Sequence, residues 1–577
     1  MPTQLKVTAG QHSEAGRKPV NQDFHGLIIP REPQLGGKGI AIALADGISS
    51  SEVSQVAAQA AVTNFLQDYY CTSEAWSVKT AAERVLAAAN SWLHAQTRGS
   101  QFRYEVERGY VCTFSGLVLK SATAHLFHVG DARIYRVSGK SLEQLTIDHR
   151  VRIAGGESYL GRALGINPQL EIDYLALPVE IGDTFVLATD GVHEYVAPDF
   201  TASAIRECAD DLDAAARVIA QEAYRRGSPD NLTVQILRID ELPPRAANEL
   251  QQQYAGLPAA PLLEPRMLFD GYRILEALHS SSRSHVYLAL DEETQQKVIL
   301  KVPSIDLRDD PAYLESFMME EWVARRVHSP HLARPLPQTR PRHYLYVAAE
   351  YIEGQSLAQW MLDHPRAPLE AVRGIVEQVA RGLRALHRLE MLHQDLRPEN
   401  IIIASDGTVK IIDFGATRVA GLAESGAGEG RSPIPGTPQY AAPEYFLGEP
   451  GSVRSDLFSL AVIAYRMLTA DLPYGVEVAK TRSRLEQIRL TYEPALRHRR
   501  DLPPWVDGAL KKALHPDPQK RYAEISEFLH DLRTPNPAFV NQARPPLLER
   551  DPVAFWKGVS ALLALIVLAL LIHLLRR

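Results

Sequence analysis

Short apolar runs and longer stretches with helical spacing share the first 240 residues of the chain. Ile40 to Ala45, His125 to Val129 and Thr184 to Ala188 are largely apolar runs, a pattern that predicts buried strands. Glu52 to Tyr70 and Val78 to Thr97 repeat apolar residues every three or four positions, which predicts helices. Because the two kinds of element do not alternate regularly, the pattern favours a mixed α+β domain.

The rest of the chain begins with strand-like runs and becomes helical after about Leu369, which predicts a small lobe followed by a larger one. Two proline-rich stretches, Pro243 to Pro265 and Pro535 to Pro552, interrupt the pattern. Proline fixes φ and lacks a backbone donor, so we expect domain boundaries there. The predicted units are a domain at 1–240, a semi-rigid linker at 241–267, a domain at 268–533 and a second linker at 534–552.

The C-terminal residues are far more apolar than the rest of the chain. Gly558 to Leu575 reads GVSALLALIVLALLIHLL, and a helix of this length would span roughly 27 Å, close to a bilayer core. With Trp556 and Lys557 as interfacial anchors, we predict one transmembrane helix at 553–575. Met1 to Gly10 contains no apolar run, so no secretory signal is expected. Both domains are therefore predicted on the cytoplasmic side of the inner membrane.

Composition narrows the candidate chemistry. A length of 577 residues exceeds the roughly 250 to 300 residues at which single cores stop growing, in agreement with two domains. The formal net charge is -7 without a concentrated basic stripe, which argues against nucleic-acid binding. Cys71, Cys112 and Cys208 are odd in number and lack metal-ligand spacing, so they are predicted to be reduced thiols.

Aspartates follow or precede the predicted strands of the first domain. Magnesium and manganese prefer oxygen ligands, and two such ions close together can activate water and neutralise a phosphoryl oxygen. A single Asp-Gly pair is usually only a turn, but carboxylates gathered without a cation would repel one another. The whole set therefore favours a metal site. Its members are Asp23, Asp46, Asp131, Asp190 and Asp230.

These aspartates lie in ordered motifs: GRKPVNQD, ADGI, HVGDARIY, LTIDH, ATDGV and PDNLTV. From about residue 10 to 240 the chain resembles the type 2C metal-dependent protein phosphatases. The resemblance implies an α/β/β/α sandwich that hydrolyses phosphoserine and phosphothreonine with water activated by two or three Mg²⁺ or Mn²⁺ ions.

The resemblance also assigns roles to individual residues. Asp46 would bridge two ions, Asp131 would belong to a third, looser site, and Asp23 would act on one ion directly or through water. Lys18, with Arg17 beside it, stands where the family places a substrate-phosphate arginine. The remaining metal ligands implied are the Gly47 carbonyl, Asp190 and Asp230.

In the second domain, LHQDLRPENIII at Leu392 to Ile403 and KIIDFGATR at Lys410 to Arg418 are similar to the catalytic and metal-binding loops of eukaryotic-like Ser/Thr protein kinases. The motifs GTPQYAAPE, SDLFSL and HPDPQKRY follow in the family's order. This resemblance, over roughly residues 270 to 530, implies a bilobal fold and transfer of the γ-phosphoryl group of ATP with Mg²⁺.

By this resemblance Asp395 accepts the proton of the substrate hydroxyl. The strand lysine Lys301 pairs with a helix carboxylate, for which Glu320 is the first choice and Glu321 is left open by spacing alone. The metal-binding residues implied are Asn400 and Asp413. The residues implied to bind ATP are Lys301, Val286, Asn400 and Asp413.

Three departures from the kinase pattern change the expectations. Leu278 to Ala289 has no glycine where the family has a glycine-rich loop, which predicts a weaker grip on the nucleotide. Gln394 replaces an arginine that normally pairs with a phosphorylated loop, so less dependence on phosphorylation is expected. Arg397 replaces a lysine and preserves charge. Ala420 to Ser432 is predicted to be a mobile loop. Candidate autophosphorylation sites are Ser425, Ser432 and Thr437.

We therefore predict a bifunctional, membrane-bound enzyme that adds phosphate to and removes it from Ser/Thr residues of proteins, including itself. The alternative is an active phosphatase with a degenerate kinase domain that only senses nucleotide. The missing glycines favour the alternative, whereas retention of Lys301, Asp395, Asn400 and Asp413 favours a transferase.

Overall fold

The computed structural model describes residues 4–152, 158–243, 257–281, 284–307, 310–337, 340–423, 438–540 and 552–575. The N-terminal domain contains two antiparallel five-stranded sheets with the orders β1-β12-β11-β6-β7 and β10-β5-β4-β3-β2. Its strands are β1 (Lys6–Glu14), β2 (Phe24–Ile28), β3 (Ile40–Ala45), β4 (Phe114–Lys120), β5 (Thr123–Val129), β6 (Arg133–Ser138), β7 (Ser141–Gln144), β8 (Arg150–Arg152), β9 (Ser158–Leu160), β10 (Asp173–Pro178), β11 (Thr184–Ala188) and β12 (Leu232–Glu241). Its helices are α1 (Gln34–Lys38), α2 (Ser54–Cys71), α3 (Val78–Gly99), α4 (Asp190–His193), α5 (Pro198–Glu207) and α6 (Leu212–Arg225).

Strand β3 shows why the layers pack in this order. Successive side chains of a strand point to opposite faces. Ile42 packs between the sheets with Phe185 and Leu237, whereas Ala41 and Ala43 pack against α2 and α3 on the other face. Helices α5 and α6 cover the outer face of the first sheet. The domain is therefore the α/β/β/α sandwich that the resemblance implied, and the predicted strands Ile40–Ala45 and Thr184–Ala188 are confirmed at both ends.

The C-terminal domain has two lobes, as predicted. The small lobe is an antiparallel sheet with helix α7 (Pro311–Arg326) beside it. Its strands are β13 (Leu268–Phe269), β14 (Tyr272–Ser280), β15 (Ser284–Asp291), β16 (Lys297–Pro303) and β17 (Val347–Glu350). The large lobe also carries short strands β18 (Gly354–Ser356), β19 (Met391–Leu392), β20 (Ile401–Ala404), β21 (Val409–Ile411) and β22 (Arg418–Val419). Its helices are α8 (Leu357–Asp363), α9 (Leu369–His387), α10 (Ala420–Ala423), α11 (Val453–Thr469), α12 (Arg484–Ile488), α13 (Ala495–His498), α14 (Pro504–Ala513), α15 (Ile525–Arg533) and α16 (Pro537–Val540).

The proline-rich stretch between the domains is not a free spacer along its whole length. Ala260 and Leu263 are buried in the core of the small lobe, and the Leu345 backbone N–H donates to the Pro258 carbonyl at 2.9 Å. Apolar side chains lie between the prolines, so this stretch can bury hydrophobic surface against the small lobe. The part from residue 257 therefore packs on the small lobe, which differs from the predicted linker at 241–267.

Helix α17 (Pro552–Leu575) forms at the C-terminal end. Among the residues that the structure describes, no helix meets the length and apolarity needed to cross a bilayer. The transmembrane helix predicted at 553–575 is therefore not supported.

Candidate active sites

The five aspartates of the N-terminal domain lie at strand ends. Asp46 directly follows β3, Asp190 follows β11 by one residue, and Asp23 directly precedes β2. Asp131 lies in the turn between β5 and β6, and Asp230 lies just before β12. The strands therefore position carboxylates that are far apart in sequence.

These carboxylates influence one another electrostatically. Burial, together with the charges of Asp23, Asp190, Asp131 and Asp230, raises the pKa of Asp46 well above its ordinary value. Burial and the charges of Asp131 and Asp230 raise the pKa of Asp190 to about 7. Bringing so many carboxylates together is costly unless a cation joins them. The set is therefore suited to hard divalent cations, the ions that oxygen ligands prefer.

Asp23 is held by two hydroxyl donors. Thr233 Oγ1 donates to Asp23 Oδ2 at 2.7 Å and Thr189 Oγ1 donates to the same oxygen at 3.1 Å. The other oxygen, Oδ1, is buried without a hydrogen-bond partner. Burial raises the pKa of Asp23 to about 6, although the Thr233 hydrogen bond opposes that shift. A buried oxygen in this state is a good candidate ligand for a cation or its water.

Two basic side chains lie among these carboxylates. Arg150 donates from Nε to Asp131 at 2.7 Å, from one terminal nitrogen to Asp190 at 3.0 Å and from the other to Glu194 at 2.6 Å. The Lys18 ammonium pairs with Asp230. Arg150 was missed by the sequence analysis, although it directly follows the LTIDH motif.

These basic groups already neutralise part of the carboxylate set. Within the described ranges, no three His, Cys, Asp or Glu side chains are grouped so that they could hold a metal ion as they stand. The carboxylates fit divalent cations by chemistry, and Arg150 and Lys18 would have to release them.

Arg17 and Lys18, both predicted to bind the substrate phosphate, face different partners. Arg17 donates to the main-chain carbonyls of Ser228 at 2.8 Å and Tyr224 at 2.9 Å, and its guanidinium lies 4.6 Å from the centre of the Tyr224 ring. Lys18 also donates to Ser49 Oγ at 2.7 Å. Of the two, Lys18 therefore points to the carboxylate set, whereas Arg17 stabilises the turn before Asp230.

In the C-terminal domain, the structure distinguishes the two candidate partners of Lys301. The Lys301 ammonium lies 2.7 Å from Glu320 Oε2 and 3.2 Å from Asp413 Oδ1. Glu321 instead forms a buried pair with Arg342, with both terminal nitrogens of Arg342 within 2.7 Å of its oxygens. Glu320 is therefore the residue on α7 that faces the predicted ATP site.

The contacts among Lys301, Glu320 and Asp413 also shift the pKa values of these groups. Burial alone would lower the pKa of Lys301, but the charges of Asp413 and Glu320 outweigh it and raise that pKa. Burial raises the pKa of Asp413, but the Lys301 charge and the Gly415 backbone N–H, which donates at 3.0 Å, leave it below its ordinary value. Asp413 is thus held as an anion, the form that binds a metal ion.

Hydrogen bonds with Asn400 and Asp456 hold the loop that carries Asp395. Asn400 donates from Nδ2 to the Asp395 carbonyl at 3.0 Å and to Oδ2 at 3.3 Å. The buried Asp456 of the SDLFSL motif accepts hydrogen bonds from the backbone N–H groups of His393 at 2.9 Å and Gln394 at 3.0 Å. The structure therefore brings Asp395 and Asn400 together. Asp456 holds the backbone of the two residues that precede Asp395.

Val286 lies opposite Lys301 in the register of β15 and β16, so the two side chains lie on the same face of the sheet. Serine hydrogen bonds join the end of β14 to the start of β15. The Ser284 N–H donates to Ser281 Oγ at 3.1 Å, and Ser280 Oγ and His285 Nδ1 lie 2.7 Å apart. These serine hydroxyls are engaged within the hairpin.

The predicted autophosphorylation sites lie outside the described residues. The sites concerned are Ser425, Ser432 and Thr437.

Comparison with known proteins extends these observations. The chain matches the family described as Protein kinase domain over residues 272–532 and the family described as Protein phosphatase 2C over residues 11–223. It is 30% identical over 282 residues to serine/threonine-protein kinase PknB of Mycolicibacterium smegmatis, covering 46% of this chain and 43% of that protein. It is 30% identical over 271 residues to serine/threonine-protein kinase PknL of Mycobacterium bovis, covering 47% of this chain and 67% of that protein.

A solved structure described as PppA, a key regulatory component of T6SS in Pseudomonas aeruginosa, shares 22% identity with a TM-score of 0.34. The match covers 41% of this chain and 99% of the chain in that structure. The chain spans about half the length of several curated kinases that it matches. Taken with the two matched families, the chain belongs to the serine/threonine protein kinases and carries a protein phosphatase 2C domain ahead of its kinase domain.

Proposed function

We propose that this chain is a bifunctional enzyme whose kinase domain transfers the γ-phosphoryl group of ATP to Ser/Thr residues and whose phosphatase domain hydrolyses the resulting phosphoproteins. The observation that supports it most is the pairing of Lys301 with both Glu320 and Asp413, at 2.7 Å and 3.2 Å. A lysine held between these two carboxylates has the geometry required for phosphoryl transfer. The carboxylate set around Asp46 supports the opposing activity.

In the kinase domain, Asp395 would accept the proton of the substrate hydroxyl while Asn400 and Asp413 hold the Mg²⁺ that accompanies ATP. Lys301 would bind the phosphates of ATP, and Val286 would contribute to the same site from β15. Protein substrates would include the chain itself, because two domains on one chain meet at effective concentrations up to roughly millimolar.

In the phosphatase domain, Asp46, Asp190, Asp230 and the Gly47 carbonyl would hold Mg²⁺ or Mn²⁺, with Asp23 adding its unpartnered oxygen. Such ions supply an activated water and neutralise the phosphoryl oxygens when bound. Lys18 would leave Asp230 and bind the substrate phosphate. Asp131 would bind a third ion after Arg150 has released this carboxylate.

The proposal is tested by incubating the full chain with labelled ATP and comparing it with Asp46→Asn and Asp395→Ala variants. Label should accumulate faster and further in Asp46→Asn than in the unmodified chain, and should be lost in Asp395→Ala. Label that does not depend on Asp395 would favour the alternative, a phosphatase with a nucleotide-sensing kinase domain. The observation that favours that alternative is that the serine hydroxyls at the end of β14 and the start of β15 bond within the small lobe.

Attachment to the inner membrane through residues 558–575, with both domains facing the cytoplasm, stays a prediction from the apolar sequence. Fractionation of cells expressing the full chain or a chain ending at residue 551 tests it. Only the full chain should sediment with membranes, and equal recovery of both in the supernatant would contradict the prediction.

A further inference from the structure

A short phosphatase segment, residues 74–80, lies against the kinase domain, and we call it the docking segment. It joins α2 to α3 and includes the first turn of α3. Ala75 is fully buried, and it belongs to the apolar core of the kinase large lobe together with Val419. The two domains therefore share a core at this point.

The docking segment first contacts Gly421, which follows the metal-binding Asp413 along the kinase chain. The Gly421 N–H donates to the Ala75 carbonyl at 3.0 Å, and Lys120 Nζ, also of the phosphatase domain, donates to the Gly421 carbonyl at 2.6 Å. A Cβ at residue 421 would lie 2.5 Å from the Glu74 carbonyl oxygen, so this approach requires glycine. The phosphatase domain thus binds both backbone polar groups of one kinase residue.

The second contact is Glu390, just before β19, the strand that leads to the catalytic loop. Its Oε2 accepts from the Ser77 backbone N–H and its Oε1 accepts from Thr80 Oγ1, each at 2.7 Å. A carboxylate at the start of α3 also meets the positive end of the helix dipole. The Ala420 N–H donates to the Glu390 carbonyl at 3.1 Å, which joins this contact to the first.

The third contact reaches helix α7, which carries Glu320. Arg326, its last residue, donates to Glu74 Oε2 at 2.9 Å. One phosphatase segment therefore touches the helix that positions Lys301, the approach to the catalytic loop, and the chain after Asp413.

From these contacts we infer that the phosphatase domain is a built-in activator of the kinase domain, independent of its own hydrolytic activity. Gln394 stands where the kinase family has an arginine that binds a phosphorylated loop, and its amide donates to the Pro450 carbonyl at 3.2 Å. Docking of Lys120 and Ala75 on Gly421 instead holds residues 418–423, which follow Asp413 in the chain. The inference rests on the kinase activity proposed above.

The test uses the full chain with Asp46→Asn throughout, so that hydrolysis cannot mask phosphoryl transfer. Lys120→Met removes the bond to Gly421 from the phosphatase side and leaves every kinase residue intact. Glu74→Gln combined with Thr80→Val weakens the side-chain contacts with Arg326 and Glu390, and leaves the hydrogen bond from Trp76 Nε1 to the Arg388 carbonyl in place. Glu83→Gln on α3, whose carboxylate lies 3.8 Å from Lys79 on the surface, is the matched control.

The initial rate of label transfer from ATP should fall at least about fivefold in Lys120→Met and in the double variant, since couplings between sites span about 5- to 150-fold. Hydrogen exchange at residues 418–423 and 311–326 should accelerate, while Glu83→Gln stays unchanged. Melting of the phosphatase domain, followed in parallel, separates loss of docking from loss of fold.

An unchanged or higher rate in folded interface variants would overturn the inference. If the Asp46→Asn chain itself transfers no label, it is the proposed kinase function that fails. These two failures are therefore distinct.

Discussion

The Lys301 ammonium nitrogen lies 2.7 Å from Glu320 Oε2. The adjacent Glu321 points elsewhere, because consecutive helical residues are about 100° apart around the axis. Its side chain is only 1% exposed and pairs with Arg342. The two neighbouring carboxylates therefore serve different purposes, one in the predicted ATP site and one in packing.

The first prediction separates these purposes. Glu320→Gln should lower the rate of phosphoryl transfer by about 10- to 100-fold, because misplacing a positioning group by about 1 Å can cost 10²-fold. Glu321→Gln should instead destabilise the domain, since breaking one partner of a buried pair costs about 3–5 kcal/mol. Steady-state kinetics and thermal melting of both variants check this. Equal effects of the two substitutions on both readouts would contradict it.

The buried pair of Glu444 and Arg521 should stabilise the large lobe. Both side chains are almost fully buried, and the terminal nitrogens of Arg521 lie 2.8 Å and 2.7 Å from the two Glu444 oxygens. Arg521→Ala should destabilise the domain by about 3–5 kcal/mol, because it leaves an unpaired buried carboxylate. Arg484→Ala, which removes the exposed pair with Glu449, should change stability by less than about 1 kcal/mol. Denaturant unfolding compares the two, and similar losses would argue against the buried pair.

Arg150 should compete with divalent cations for Asp131 and Asp190. Hydrogen bonds to charged groups contribute about 1.5–3 kcal/mol each, so Arg150→Ala should tighten Mn²⁺ binding by about tenfold or more. Isothermal titration calorimetry measures the affinity and the number of ions bound. Arg162→Ala is the control, since Arg162 pairs with Asp173 and Glu171 at the surface. Unchanged or weaker binding in Arg150→Ala would refute the competition.

Metal binding to the phosphatase domain should depend on pH. The pKa values of Asp23 and Asp190 are raised to about 6 and about 7, so these carboxyls hold protons up to near neutrality. A cation must displace those protons and any proton on Asp46, whose pKa is raised as well, hence its apparent affinity should rise as pH increases from about 5 to 8. Calorimetry in buffers of different ionisation enthalpy should detect proton release on binding across this range. Affinity that is flat across this range would contradict the raised pKa values.

The pattern of apolar residues along the chain predicted strands whose burial produces that pattern. Strand Ile40–Ala45 is a continuous apolar run because both of its faces are buried, and its ends are where the sequence analysis placed them. The choice between Glu320 and Glu321 needed the rotation of α7 about its axis, which spacing does not contain. Arg150 is a single basic residue without periodicity, so its place among the carboxylates depended on the path of the chain.

The docking segment lay beyond any local pattern. Thr80 and Glu390 are 310 residues apart in sequence, and their contact depends on how the two domains pack against each other. The linker residues from 257 onward bury apolar side chains on the small lobe, and this contact likewise depends on the path of the chain. Composition marked this stretch as proline-rich but did not show which surface would receive it.

The most direct test of opposed activities in one chain is a pulse and chase on a single sample. The full chain is labelled with γ-labelled ATP and Mg²⁺, the remaining ATP is removed enzymatically, Mn²⁺ is added, and protein-bound label is followed over time. We expect label to appear in the pulse and disappear in the chase, to persist in the chase in Asp46→Asn, and never to appear in Asp395→Ala. Label that decays equally in Asp46→Asn, or that appears without Asp395, would show that the two domains do not carry opposed activities.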